Sequence, residues 1–258
     1  IVEMGFSARN GIAAAFMAAD GMTGQPDVLE APRGLINMIT GGKVEAPEKI
    51  LSEWGRPYRI FEVGIKSFPC CYHLQRMIES AQELTRERGL RAEDILQVEV
   101  EVNAFFPTVV QHPEPRNEIQ AQFSLPHAVA LGVLEDKVVP ASFSRERIED
   151  ERFRQFRSKV KTIVREEWGW TPTGWNPRIS YHLANGETVV REPTTALGQP
   201  PALLDFEHCI PKFYGCVDDL LAPERVQRSI EMLRNLATLP DASALVAEVA
   251  AIMPKNRG

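Results

Sequence analysis

Apolar residues recur at helical spacing near both ends of the chain and alternate with polar ones in its middle. Leu74, Met77, Ile78, Ala81 and Leu84 lie three and four residues apart, which predicts an amphipathic helix to about Arg88 with a turn at Gly89. Upstream, Ile12 and Phe16 share one face of a helix expected to start at an Ser7 N-cap, run through Ala19 and stop at Gly21. A second helix is expected over 27–38, with Pro32 near its start; residues 43–57, with Pro47 and Pro57, read as a crossing into a different domain. Val98, Val100 and Val102 alternate with Gln97, Glu99 and Glu101, the pattern of a half-buried strand. Phe123 to Glu135 predicts a buried helix, capped by Ser124 with Pro126 in its first turn. Ile148 to Arg157 reads as a short charged helix and Val160 to Val164 as a strand. The clearest local signal is a hairpin: Ile179, Tyr181 and Leu183 alternate, Asn185-Gly186 turns, and Thr188 to Arg191 return. From Asp205 the pattern is helical again, with Val226, Ile230, Leu233 and Leu236 on one helix and Leu245, Val246, Val249 and Ile252 on the last.

Helical, then mixed, then helical: this order predicts an α+β fold in which a mainly helical domain is interrupted by a smaller α+β domain. The expected boundaries are 1–55 for the first helical part, 56–204 for the α+β domain and 205–258 for the returning helical part.

Composition narrows the function. The chain has 258 residues, 44% hydrophobic, with a formal net charge of −6. It shows no basic stripe with interleaved aromatics, which argues against nucleic acid as the main partner. No apolar run is long enough to span a membrane, and no signal peptide is visible. Four cysteines make no disulfide framework and point to a reduced, cytoplasmic setting. Neither CxxC nor HExxH occurs and the five histidines are scattered, so no metal site is expected. The chain begins at Ile1 and reads like the continuation of a longer polypeptide.

The candidate chemistry concentrates in Gly64 to Ala81, GIKSFPCCYHLQRMIESA. Pro69 fixes the approach to the helix and biases Phe68 towards an extended conformation. The N–H groups of Cys71, Tyr72 and His73 are then expected near a helix N-terminus, a good place for a carboxylate, with Lys66 as a nearby cation. The N-terminal dipole is expected to keep the His73 imidazole neutral near pH 7. A plain strand-turn-helix junction with a buried cysteine pair accounts for the same residues. His127 reads as a core histidine, His182 as solvent-facing, and Trp168, Trp170 and Trp175 as packing anchors. Arg9 and Asn10 fall in the first turn of the expected early helix, where a cation opposes the dipole and needs another reason to be present.

Four blocks, in order, resemble the MmgE/PrpD family: GFSARNGIAAAFMAADGMTG (5–24), IKSFPCCYHLQRMIESA (65–81), AQFSLPHAVALGVLED (121–136) and ANGETVVREPTTALGQPPALLDFEHCIPKF (184–213). The resemblance implies a helical domain with an α+β lid and an active site in the cleft between them. It implies a homodimeric, cofactor-independent lyase (a dehydratase of the 2-methylcitrate dehydratase type, or a decarboxylase) or an isomerase. The substrate would be a small polycarboxylic acid such as 2-methylcitrate or cis-aconitate. It assigns catalysis to His73 and Lys66, and substrate binding to Arg9, Asn10, Cys70, Tyr72 and Gln75; Lys212 matches a structural lysine. Family members are longer, and the half preceding Ile1 also supplies catalytic histidines. The family's lid histidine usually sits six residues after the proline, where this chain has Gln75, although many members also have one at the position of His73. Glutamine cannot titrate, and Glu79 stands where the family usually has aspartate. The alternative is a non-catalytic fragment or subunit that keeps the fold without turnover.

Overall fold

A computed structural model of the chain describes residues 2–42, 52, 54–56, 58–172, 174–217 and 220–250. They group into two compact units, Ile1–Phe61 and Glu62–Gly258. Most of the crossing expected at 43–57, and Ile252 of the expected last helix, lie outside the described residues.

In the first unit, α1 (Val2–Ala19) begins earlier than the Ser7 cap predicts. Ser7 lies inside the helix, and its hydroxyl donates to the Glu3 carbonyl at 3.1 Å instead of capping an end. Gly21 does close it, in a left-handed-side conformation at φ 92°. Residues 3–19 are all exposed, including the apolar side chains of Met4, Phe6, Ile12 and Phe16. The helix expected over 27–38 is instead a run of turns followed by a short α2 (Leu35–Thr40). Pro32 has no N–H to continue a helical ladder, and Gly34 is extended at ψ 172°, so the helix can start only after it.

The second unit is built on a four-stranded sheet: β1 (Ile95–Asn103), β2 (Val160–Arg165), β3 (Arg178–Leu183) and β4 (Thr188–Arg191). The order is β2-β1-β3-β4, with β1 and β2 parallel and the other pairs antiparallel. Val98, Val100 and Val102 are fully buried, so the predicted alternation holds and one face of β1 builds the core. Each such side chain contributes roughly 1.5–3 kcal/mol relative to exposure. The core is completed by α3 (Gln75–Arg88), α4 (Leu125–Leu134), and α6 (Glu151–Ser158), which follows the short α5 (Arg145–Glu149). The charged stretch expected as one helix is therefore two. Asp150 breaks it by turning its carboxylate onto the Arg152 N–H at 2.9 Å, an N-cap that a continuous helix would forbid.

Ser124 caps α4 as expected, accepting from the His127 N–H at 3.3 Å. His127 is a core residue: fully buried, with Nε2 3.2 Å from the Ser142 carbonyl and Nδ1 3.4 Å from Arg157. Burial first, then the nearby arginines, push its pKa down to about 4 despite the Ser142 contact. His182 lies on the face opposite the buried Tyr181, as expected, with 37% of its side chain exposed, Nδ1 3.1 Å from the Thr188 hydroxyl and Nε2 3.6 Å from Glu99. Trp175 is buried and Trp168 packs on the core, but Trp170 is 67% exposed, stacked edge-on against Phe105. Downstream, α7 (Phe206–Val217) and α8 (Pro223–Arg234) share a small core around Leu221, Val226 and Ile230, and α9 (Ser243–Ala250) follows. No described helix is long and apolar enough to cross a membrane.

The junction of α3 and α4 depends on Gly132. A Cβ there would stand 2.5 Å from the Ala81 Cβ and 2.7 Å from the Ile78 carbonyl, so the helices meet only because the side chain is absent. Gly132→Ala is expected to cost about 1–3 kcal/mol, the usual scale for overpacking. Urea unfolding followed by circular dichroism measures it, and an unchanged midpoint would show that the helices separate freely.

Candidate functional site

The segment from Gly64 to Gln75 forms a tight, internally bonded turn. Phe68 N–H donates to the Gln75 side-chain oxygen at 2.8 Å, and the Gln75 amide N–H donates back to the Phe68 carbonyl at 2.9 Å. Gln75 is 0% exposed, and its nitrogen also lies 3.3 Å from the Cys70 sulfur. A single 3-10 turn (Tyr72–Leu74) leads into α3. The Cys71 N–H, expected to face a ligand, instead donates to the Gln122 carbonyl at 2.9 Å and ties the turn to the residues before α4.

A second loop is latched onto this turn. Ile65 N–H donates to the Gly198 carbonyl at 2.8 Å, and the Ser67 hydroxyl to the Leu197 carbonyl at 2.7 Å. The Gln199 side chain donates to the Tyr72 carbonyl at 3.1 Å, and the Glu79 carboxylate accepts the Leu197 N–H with both oxygens at 3.1 Å. Gly198 has φ +90°, and a Cβ on it would sit 2.0 Å from the Ile65 carbonyl, so no other residue fits.

On this frame Lys66 and Tyr72 are exposed, His73 is half-buried, and Cys70 and Gln75 are buried. The His73 ring packs edge-on against Phe105, at 5.8 Å between centroids, and Phe106, at 6.3 Å. Its pKa is lowered, by burial first and then by the positive charges of Arg76 and Lys66. The direction agrees with the neutral imidazole expected, and its causes are desolvation first and then the two cations. Burial raises both thiols: Cys70 strongly, and Cys71 against the opposing pull of the His73 N–H and Lys66. Both are therefore thiols near neutral pH, without nucleophilic character.

Arg76 was not legible as a candidate. It is buried, its guanidinium lies 4.9 Å from the Trp175 ring centre, and it donates to the carbonyls of Trp175 (3.2 Å) and Thr194 (3.1 Å) and to the Asn176 side chain (3.3 Å). Burial drops its pKa to about 10, with Tyr72 acting the other way, so it stays charged at neutral pH. A run of polar α3 residues gave no sign of this, because its partners lie about a hundred residues away.

Arg9 and Asn10 belong to the first unit. Both are exposed on α1, and the Arg9 guanidinium lies 5.0 Å from the Phe6 ring centre. Because α1 starts at Val2, Arg9 is in mid-helix, and the dipole no longer opposes its charge. Lys212 lies on α7.

The family model for the MmgE/PrpD C-terminal domain matches residues 68–238. Cis-aconitate decarboxylase of Aspergillus terreus is 22% identical over 95% of this chain and 53% of its own length. The human cis-aconitate decarboxylase is 25% identical over 95% of this chain and 51% of its own. The mouse cis-aconitate decarboxylase is 23% identical, again over 95% of this chain and 51% of its own. The chain thus spans about half the length of the curated relatives it matches.

The electrostatics of the turn can be measured directly. His73 is expected to titrate below an ordinary histidine, followed through its ring protons by NMR. Arg76→Met removes a facing cation and should move the His73 pKa upward, whereas Arg76→Lys should leave it low. The remaining facing groups, Lys66 and Tyr72, are unchanged in both variants. Identical titrations in wild type and Arg76→Met would show that Arg76 does not act on this ring.

Proposed function

The chain belongs to the MmgE/PrpD family, and from that premise we propose that it carries the acid/base turn of a lyase acting on a small polycarboxylic acid. The observation that carries this reading is the half-buried His73, whose charged neighbours are both cations, Arg76 and Lys66. A neutral imidazole held between positive charges suits proton removal from a carbon next to a carboxylate. The cations favour the polyanionic substrate, and the burial keeps the base unprotonated. In this reading His73 moves the proton, Lys66 holds a carboxylate, and the exposed Tyr72 hydroxyl orients the substrate. Cys70 and Gln75 contribute from beneath, as the floor of the turn. The carboxylate-binding roles of Arg9 and Asn10 rest on the early-helix motif alone.

The named relatives favour cis-aconitate, and hence decarboxylation, over dehydration of a 2-methylcitrate-like acid or isomerisation. We also keep as proposals the α+β unit as a lid, catalysis without metal or organic cofactor, a cytoplasmic setting, and a homodimer. Exposed apolar side chains on α1 support a surface that is covered on assembly. A second reading keeps the fold without turnover. It is favoured by Gln75, an untitratable residue whose amide is spent on the Phe68 backbone.

The test uses the natural polypeptide with cis-aconitate and 2-methylcitrate as separate probes, products followed by proton NMR. Turnover of either probe, reduced about a hundredfold or more in kcat by His73→Ala, is the expected result. Near wild-type turnover in a folded His73→Ala variant would remove His73 from the mechanism. No turnover of either probe by the folded protein would favour the non-catalytic reading.

A further inference from the structure

A cavity of about 630 Å³ lies within the second unit, bounded by the Ser67–Pro69 turn, the loop before and after Val138, the Leu197–Leu204 segment and α7. None of Lys66, Tyr72 and His73 lines it, so it is distinct from the turn's solvent-facing groups. Its volume falls in the range of small-molecule sites, roughly 300–1,000 Å³. Phe68, Val139, Leu204 and Ile210 make a mostly apolar wall. Gly215 lets α7 come close, since a Cβ there would stand 3.0 Å from a Val139 methyl.

The polar groups at this wall are few and unequal. Lys137 and Lys212 both line the cavity, and neither makes an ion pair within the described residues. His208 is occupied by Asp205, 2.7 Å from its Nδ1. Among the described residues Asp136 is the one acidic residue of the lining, against two lysines, so the charge count of the lining is positive. A mostly apolar wall whose lining carries two lysines against one carboxylate suits a ligand with an apolar body and one negative end.

We propose that this cavity is a binding site for a small amphipathic monocarboxylate, its alkyl body between α7 and Phe68 and its carboxylate on Lys212 and Lys137. The site goes beyond the reaction proposed above and does not depend on it. Phe68 and Pro69 belong at once to this wall and to the turn that carries His73, so an occupant bears on the turn from behind.

The probes are hexanoate and 1-hexanol, equal in carbon number and different in charge, titrated into the isotope-labelled chain and followed by amide NMR shifts. The expected result is saturable shifts at Val138, Val139, Leu204 and Phe68, with hexanoate bound at least about tenfold tighter than hexanol. Lys212→Met should remove most of that preference while leaving hexanol binding unchanged. Leu204→Trp, which fills the cavity, should abolish both. Equal binding of the two probes would overturn the proposal, as would a preference untouched by Lys212→Met or shifts centred on other apolar surfaces such as α1. Should Leu204→Trp fail to fold, the Lys212→Met comparison still decides.

Discussion

The turn that carries the candidate chemistry is closed by one side chain. The Gln75 amide bonds both to the N–H and to the carbonyl of Phe68, so a single residue at the start of α3 satisfies two backbone groups seven positions earlier. The carbonyl also accepts the Cys70 N–H at 2.9 Å, so it is the Phe68 N–H that depends on Gln75, and leaving such a group unsatisfied costs about 1–3 kcal/mol where water does not reach it. An aliphatic residue of similar size would leave that N–H without its acceptor, and a charged one would add the cost of a buried ion. The turn in turn sets where Tyr72 and His73 emerge. The proton chemistry proposed for His73 and the rigidity at Gln75 thus fall on two residues of one short segment.

A second dependency is electrostatic. Arg76 is buried and, among the described residues, has no carboxylate partner; it is held by carbonyls, an asparagine oxygen and the face of Trp175. Those contacts solvate the cation without neutralising it, so its field persists in the surroundings where a salt bridge would have cancelled it. The consequence falls on His73, whose protonated form is disfavoured by burial first and then by Arg76 and Lys66. The same environment silences the cysteines: burial outweighs Lys66 at Cys70 and Cys71, and neither thiol becomes a nucleophile.

How much of this the sequence revealed follows the range of each interaction. Elements set by local rules were legible: the apolar stripe of α3 and its Gly89 stop, the alternation of β1, the Ser124 cap of α4 and the Asn185-Gly186 hairpin. Errors arose where two local rules competed. Ser7 looked like a cap but bonds back to Glu3 inside a longer helix, Pro32 lies in the turns before a helix it seemed to begin, and Asp150 chose a cap over continuity. At the candidate site, Lys66 and His73 could be singled out from residue type and position. The bonds that fix them could not, because Gln199, Glu79 and Arg76 meet partners about a hundred residues distant, and no periodicity encodes such pairs.

Those distant bonds share an arrangement. Arg76 reaches the carbonyls of Trp175, just before β3, and Thr194, just after β4; Glu79 holds the Leu197 N–H, and Gln199 returns to the Tyr72 carbonyl. The segments flanking the β3–β4 hairpin therefore converge on the first turn of α3 and the 3-10 turn before it. Pairing of β3 with β1 carries the hairpin to its place, and the core-facing valines of β1 position that strand against α3. The geometry around His73 is consequently a product of the whole sheet, not of the eighteen-residue block that first draws attention. A change that loosens β3 from β1 reaches the site through Trp175 and Thr194 before it alters any residue in the block itself. Local sequence supplies the candidate groups, and long-range pairing fixes the frame on which they are held.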